Sequence, residues 1–588
     1  MIIPMVKYSF LVYHKEYSSF LDSIKNVGVL DVIKKKNEVA ETIKEKYNLI
    51  KNINEFIKKL EKIATETTGK DNSIDGKDVY GNLLNINKQI ETKQQQLNQL
   101  KKEIEQVSPW GDFSASIVNN LNNNNIELRF FVSTVKKFKK EWEQQYAVEA
   151  IESSYGLIYF VVFCKKGDVL NIDAEEVRTP EKPVSELQEY RKLIENDIDK
   201  LEKEILHIAN TNLKKLIEYK ESLEENCEYE EVIENTQKEA SEKVMLLEGW
   251  VPKNKEDEFI EYLTKSDILY IKDKPTSEDR VPILLKNNKF SKLFEPIGGL
   301  FSLPDYKELD LTPFFAPFFM MFFGFCLSDA GYGVVIIIGA TIAKLKVKPK
   351  LKPFMTLAQL LGIGTIIFGV ISGTLFGINL IETEIAVFSS FKQYMLDSDK
   401  MFNLALILGV IQILFGLCVK AINQTRQYNW QYAMPSFGWI ILLLSLLDNY
   451  LLELTQLGAI PIYVGLGLIV LFSDPKANIF VRLGKGLWDL YGITGIFGDV
   501  LSYIRLFALG ISSAILGFVI NDISLQIRDG IPFVGWLLFG IFLIVGHTAN
   551  ILISSLGSFV HPMRLTFVEF YKNAGFSGGG KKYKPFKK

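Results

Sequence analysis

Leu487–Asn521, LWDLYGITGIFGDVLSYIRLFALGISSAILGFVIN, is the stretch on which the reading of this chain turns. It runs 35 residues with almost no charge, and Arg505 stands in its middle. A membrane-spanning helix needs roughly 20 apolar residues, so the run is long enough to cross at a tilt. An arginine at the bilayer centre costs at least about 2.5–3.5 kcal/mol and is tolerated only where it faces protein, water or a counter-charge. Asp499 is the neighbouring acid, but it lies six residues away and on a different helical face. A purely structural Arg505–Asp499 pair is therefore the weaker reading.

The segment that follows points the same way. In GHTANILISSLGSFVHPMRLTFVEFY (Gly546–Tyr571), the residues His547, Asn550, Ser554, Ser558, His561 and Arg564 recur at spacings of three, four, four, three and three. At 100° per residue these fall on one side of a helix whose other faces are Ile, Leu, Phe and Val. Ser and Asn alone could simply bond neighbouring helices. Two histidines and an arginine on the same stripe favour a hydrated path or contact with a partner's ionisable groups.

Outward from these segments, the chain is apolar from Leu311 to about Tyr571. Apolar runs fall near 313–326, 332–343, 353–381, 402–422, 434–447, 457–473, 488–520 and 531–571, and predict eight crossings. The connections alternate in charge. Lys344–Lys352, KAINQTRQ, the stretch with Lys476, Arg482 and Lys485, and the KKYKPFKK tail are basic. Glu382–Asp399, the connection with Asp448 and Glu453, and Asn521–Asp529 are not. Basic loops stay inside, which places both termini in the cytosol.

The first 300 residues hold most of the charge, hidden in a whole-chain net of -2. MIIPMVKYSFLVYHKEY lacks the apolar core and cleavage site of a secretory signal. Val6–Val32 reads as strand, helix, strand, and Val244–Ile271 repeats that pattern. Ile43 to Ile63 and Leu83 to Val107 carry apolar residues every three or four positions on a Lys/Glu/Gln background, with Gly69, Gly76 and Gly81 between them. A mixed α/β block (Ile126–Ile172, with LRFFVSTV and GLIYFVVFC) and a long helical stripe from Val184 to Leu223 follow. Two long helices flanking one block fold most simply as an antiparallel stalk, or else serve to dimerise the chain. A 48% hydrophobic composition excludes a disordered chain, and four cysteines without a CxxC pair suggest no zinc or redox site. No Gly-Lys pair completes a nucleotide-binding loop, so any fuel is hydrolysed by partners.

In four stretches the chain resembles the a subunit, called subunit I in prokaryotes, of V-type and A-type rotary ATPases. They are LEGWVPKN (Leu247–Asn254), LPDYKELDLTPFFAPFFMMFFGFCLSDAGYG (Leu303–Gly333), DVLSYIRLFALG (Asp499–Gly510) and the Gly546–Tyr571 segment, in order along the chain. Leu311 stands where the family often has Pro, Ser328 where Gly often precedes the Asp, and Ser554 where eukaryotic relatives carry an acid.

The resemblance implies a mixed fold. Cytosolic residues 1–305 would form two small α/β lobes joined by a long antiparallel coiled-coil stalk. Residues 306–575 would form an all-α membrane bundle of about eight helices, two of them long and tilted, and 576–588 a basic cytosolic tail. It implies a non-catalytic stator, without cofactor or metal, in a prokaryotic plasma membrane. The stator would carry H⁺ or Na⁺ against a rotating ring of c-type subunits, coupled to ATP hydrolysis or synthesis. Arg505 and Arg564 would discharge the ring carboxylates. Asp499, Ser502, His547, Asn550, Ser554, His561 and Glu569 would hydrate the half-channels. Partners would be the ring, peripheral-stalk subunits, the central stalk and ATPase head, and lipid, with no nucleic acid. The rival reading is a secondary transporter or a membrane sensor with a cytosolic coiled coil. A transporter would favour inverted repeats, and the sequence shows no convincing internal symmetry.

Overall fold

The computed structural model describes residues 1–587 except 35–39, 65–73, 113–117, 119, 122, 155, 179–181, 240–242, 266–267, 277, 381–397 and 449–458. Gly69, Glu453 and nearly all of the acidic connection Glu382–Asp399 lie outside the described residues. The chain is mostly helical and divides into two compact units, Met1–Ile33 with Gln237–Lys588, and Lys34–Thr236.

The first unit opens on an α/β lobe. Strand β1 (Met5–Tyr13), helix α1 (Tyr17–Val27) and β2 (Asp31–Val32) are joined by β7 (Gln237–Glu239), β8 (Val244–Pro252), α6 (Glu256–Lys265) and β9 (Leu269–Asp273). The antiparallel order is β2-β8-β1-β9, with β7 on β8. Both strand-helix-strand patterns of the sequence thus share one sheet, with β1 between β8 and β9. Tyr8 and Phe10 of β1 are fully buried and contact Phe259 of α6, while Phe10 also meets Phe20 of α1. Burying each such ring contributes about 1.5–3 kcal/mol.

Among the described residues the second unit holds four long helices, one short one (Glu141–Gln145) and a sheet. The long helices are α2 (Glu41–Ile63), α3 (Gly76–Val107), α4 (Val184–Thr211) and α5 (Leu213–Asn235). Asp75 caps α3 by accepting from the Gly76 N–H at 2.7 Å. Only glycine fits at Gly76, because an added Cβ would lie 2.4 Å from the Tyr219 Cβ. Ile53, Ile57 and Leu60 of α2 and Val79 and Leu83 of α3 bury against Ala209, Leu213 and Leu216. Leu100 and Val107, farther along α3, meet Leu187, Ile194 and Ile198 of α4, so α3 and α4 run antiparallel. The single stripe predicted from Val184 to Leu223 breaks at Asn212, where the Thr211 hydroxyl turns back to the His207 carbonyl and to the Asn212 side chain. LRFFVSTV and GLIYFVVFC form β3 (Ile126–Thr134) and β5 (Leu157–Lys165). With β4 (Ala147–Ser154) and β6 (Glu175–Val177) they order as β4-β5-β3-β6.

The apolar helices complete the first unit. They are α7 (Thr312–Leu327), α8 (Ala330–Lys346), α9 (Lys352–Ser372), α10 (Ser398–Gln427), α11 (Trp430–Leu447), α12 (Ile460–Phe472), α13 (Ile479–Leu490), α14 (Ile493–Leu501), α15 (Ile504–Gly530) and α16 (Gly535–Arg564). Among the described residues, five helical stretches are long and apolar enough to cross a membrane: Pro349–Ser372, Asp399–Gln427, Trp430–Leu447, Ile479–Gly530 and Gly535–Asn573. The α7–α8 pair, bent by 120°, adds a sixth if it counts as one span, and α12 is a shorter apolar helix. The bend falls at Ser328, whose φ of 45° is left-handed, a conformation in which Gly is cheap and Ser is not. Asp329 then caps α8 through the Tyr332 N–H.

After α16 the chain turns back to the N-terminal lobe. Buried Glu308 accepts from the N–H groups of Ser577 (2.7 Å) and Gly578 (3.2 Å). Strand β13 (Lys581–Lys582) pairs in parallel with β10 (Pro282–Ile283). The Tyr583 hydroxyl donates to the Val29 carbonyl, and the Phe586 N–H to the Leu30 carbonyl at 2.8 Å. The basic tail is thereby a docked strap.

Candidate functional site

The two segments singled out by sequence lie side by side, α15 against α16, antiparallel. Ser513 meets Asn550, and Asn521 meets His547, eight residues farther along α15 and three earlier on α16. The polar stripe of α16 faces the protein. His547, Asn550 and Ser558 are buried, Ser554 and His561 half-buried, and Ile544, Val545, Leu552, Ile553, Leu556 and Val560 cover the exposed side. The stripe is turned inward because an unpaired amide or imidazole in lipid costs several kcal/mol, roughly, and Ile or Leu there costs nothing.

Arg505 does not sit in an unbroken helix. The ladder shifts to i→i−3 bonds at Tyr503 (to Val500, 3.1 Å), Arg505 (to Ser502, 3.4 Å) and Leu506 (to Tyr503, 3.0 Å). Such a 3₁₀-like step inside a helix often marks a functional or strained position. The guanidinium is half-buried, and its Nη1 is buried with no hydrogen-bond partner. Arg564 ends α16 and is exposed; behind it the helix widens into a π-turn, Leu565–Phe570. Among the described residues neither arginine forms an ion pair with an acid. His561 lies within the electrostatic reach of both.

Asp499 is not the counter-ion of Arg505. Its carboxylate accepts from Lys572 Nζ at 3.1 Å on each oxygen, and from Asn573 Nδ2 at 2.9 Å. Ser502 donates to the Gly498 carbonyl (3.1 Å) and lies beside Glu569. Glu569 is buried, and its Oε2 has no partner. Asp499, Ser502 and Glu569 therefore gather at the α14/α15 end of the helix pair, and His547, Asn550 and Ser554 nearer the other end, with Arg505, His561 and Arg564 between.

Sequence reasoning missed five residues that the fold adds. Tyr332 of α8 lies 2.7 Å from His547 Nδ1 and accepts from Asn550 Nδ2 at 2.8 Å. Asn521 Oδ1 is 3.0 Å from His547 Nε2. Asp329 accepts from three backbone N–H groups, those of Tyr332 (3.1 Å), Phe376 (2.9 Å) and Gly377 (2.8 Å). Gln412 of α10 accepts from the buried Tyr503 hydroxyl at 2.6 Å, and its own Nε2 is left unpaired. Asp329 and Tyr332 stood in the quoted LSDAGYG run, the only signal for them. Tyr503 likewise stood in the quoted DVLSYIRLFALG run and Asn521 closed the Leu487–Asn521 stretch, whereas Gln412 carried no signal, because it meets Tyr503 only through tertiary contact. Among the described residues no His, Cys, Asp and Glu cluster could hold a metal ion.

No family model matches the chain. Curated proteins do. The V-type ATP synthase subunit I of Borreliella burgdorferi is 25% identical over 624 aligned positions, covering both chains in full. The same-named protein of Chlamydia pneumoniae is 24% identical across 99% of this chain and 96% of its own. The A-type ATP synthase subunit I of Methanocaldococcus jannaschii is 29% identical over 70% of this chain, which spans 64% of that longer relative. A crystal structure of the cytoplasmic N-terminal domain of V-ATPase subunit I covers 46% of this chain at 14% identity and a TM-score of 0.23, an overlap that carries no argument. With five helical stretches of spanning length among the described residues, this chain is a membrane protein homologous to the A-type and V-type ATP synthase subunit I.

Proposed function

We propose that the chain is the ion-translocating stator of a V/A-type rotary ATPase, with residues 306–575 in the membrane, 1–305 as a cytosolic arm, and 576–588 as the tail strapped to it. The observation that carries this is a pair of arginines, Arg505 and Arg564, that form no ion pair among the described residues, beside an inward polar stripe on two apolar helices. A cation so placed is costly unless a partner supplies the anion. A ring subunit's buried carboxylate fits that need. It crosses lipid neutral, protonated or Na⁺-bound, and ionises beside Arg505, which lowers a carboxylate pKa by about 1–3 units. Arginine serves because it keeps its own proton. Arg564 extends the positive barrier. Asp499, Ser502 and Glu569 would hydrate the cytosolic half-channel, and His547, Asn550, Ser554 and His561 the path beyond the arginines.

The chain itself hydrolyses nothing in this reading; the ATPase head and stalks bind through its cytosolic arm. ATP-driven uptake by vesicles holding the whole complex, with and without Na⁺, tests it and identifies the ion. A chain that purifies without a ring or ATPase head contradicts it. Cysteines placed at Lys348 and Lys584 should react with cytosolic thiol reagents, and reaction at Lys348 from outside would invert the bundle.

A further inference from the structure

The hydrogen bonds around His547 admit one consistent arrangement. Asn521 Nδ2 donates to the Phe376 carbonyl at 2.7 Å, which turns its oxygen toward His547. Nε2 must therefore carry the imidazole proton, and Nδ1 accepts from the Tyr332 hydroxyl. That hydroxyl, its proton committed, accepts from Asn550, whose second amide hydrogen goes to the Ser513 carbonyl at 3.2 Å and whose oxygen takes the Ser554 hydroxyl at 2.8 Å. Each of these hydrogen bonds then has one donor and one acceptor, and α8, α15 and α16 are tied at one level.

The tie is braced from its outer side. The hairpin β11 (Thr374–Leu375) and β12 (Ile378–Asn379) is held by the Asp329 carboxylate, and Gly377 (φ +72°) lies against the α15 backbone at Gly517. Nearer the arginines are two buried polar atoms that no group among the described residues satisfies, the Ser513 hydroxyl and Arg505 Nη1. Orphaned buried donors of this kind are the groups that water would satisfy.

We propose that Tyr332 and Asn521 are positioning residues of a latch that closes the non-cytosolic mouth of the ion path by locking His547 and Asn550 between α15 and α16. This rests on the stator reading and its orientation. The latch is closed by this chain of bonds, contains two amides that cannot relay a proton, and so blocks the path until it parts; the orphaned groups beyond it mark the space an ion or water reaches afterwards.

The test is the rate at which an impermeant cationic methanethiosulfonate reagent modifies Ser513→Cys. It uses the whole complex in oriented vesicles, on a background where Cys164, Cys227, Cys326 and Cys418 are replaced. Tyr332→Phe keeps the ring and removes only the hydroxyl. It should raise labelling from the non-cytosolic face about three- to tenfold, the factor by which losing one or two net hydrogen bonds favours opening. Asn521→Leu, a second route to the same loss, should do likewise, with ring and ATPase head still co-purifying. A rise confined to the cytosolic face would uphold the latch and overturn the orientation. Rates unchanged within about twofold in both variants would overturn the latch, since lost hydrogen bonds would then not govern access.

Discussion

Lys572 Nζ lies 3.1 Å from both carboxylate oxygens of Asp499, so the acid closest to Arg505 in sequence pairs with a lysine instead. Asp499 is a brace between α14, which precedes the arginine helix, and Lys572 and Asn573, which follow α16. Asp499→Ala should lower stability by about 1–3 kcal/mol, chiefly by orphaning one N–H of the buried Asn573 amide, whose other bond to the Glu569 carbonyl remains, since exposed Lys572 can rehydrate. Thermal unfolding of the purified complex checks this. Asp499→Asn, which keeps an acceptor, should recover most of the loss. A larger loss for Asp499→Asn than for Asp499→Ala would contradict the brace.

Two glycines should respond in opposite directions. An added Cβ on Gly377 would come 2.2 Å from the Gly517 carbonyl carbon, at a positive φ. Gly377→Ala should therefore destabilise by about 1–3 kcal/mol. Gly81, exposed within α3, has open space around it, so Gly81→Ala should stabilise by about 0.5–1 kcal/mol. Urea titration of each variant against the parent reads both signs.

Glu308 and the tail give a third prediction. Glu308→Ala removes the acceptor for the Ser577 and Gly578 N–H groups, and Gly580→Val places side-chain atoms where a Cβ alone would lie 2.0 Å from the Pro304 carbonyl. Either change should free the strap. Trypsin would then cleave after Lys581 and Lys582 about tenfold faster, because cleavage follows the open population. Unchanged cleavage would mean that the strap is held by the β13–β10 pairing, Tyr583, Lys584 and Phe586 without help from Glu308.

What the sequence made legible follows from period and chemistry. The strand-helix-strand lobe, the heptad-like stripes of α2 and α3, and the inward face of α16 are local patterns. Each survives folding because neighbours bury the same side. Asn212 interrupts the α4–α5 stripe through a side-chain bond that hydropathy does not register. The Ser328 bend was visible only as a motif, not as a turn. The His547 environment could not be read at all, since Tyr332 and Asn521 reach it from 215 and 26 residues away. The docking of 576–587 was likewise hidden, because a run of lysines looks solvated until Glu308 and the Val29 and Leu30 carbonyls are placed beside it.

The most direct measurement is ATP-driven ion transport by the reconstituted complex carrying Arg505→Ala. Assembly should be intact and transport and coupled hydrolysis abolished. Arg505→Lys should fail or nearly so, because a buried lysine can lose the proton that arginine keeps. Arg564→Ala should be equal or milder, one fixed charge remaining at the ring. An assembled Arg505→Ala complex that pumps at the normal rate would contradict the central claim, and the ion path would have to run elsewhere.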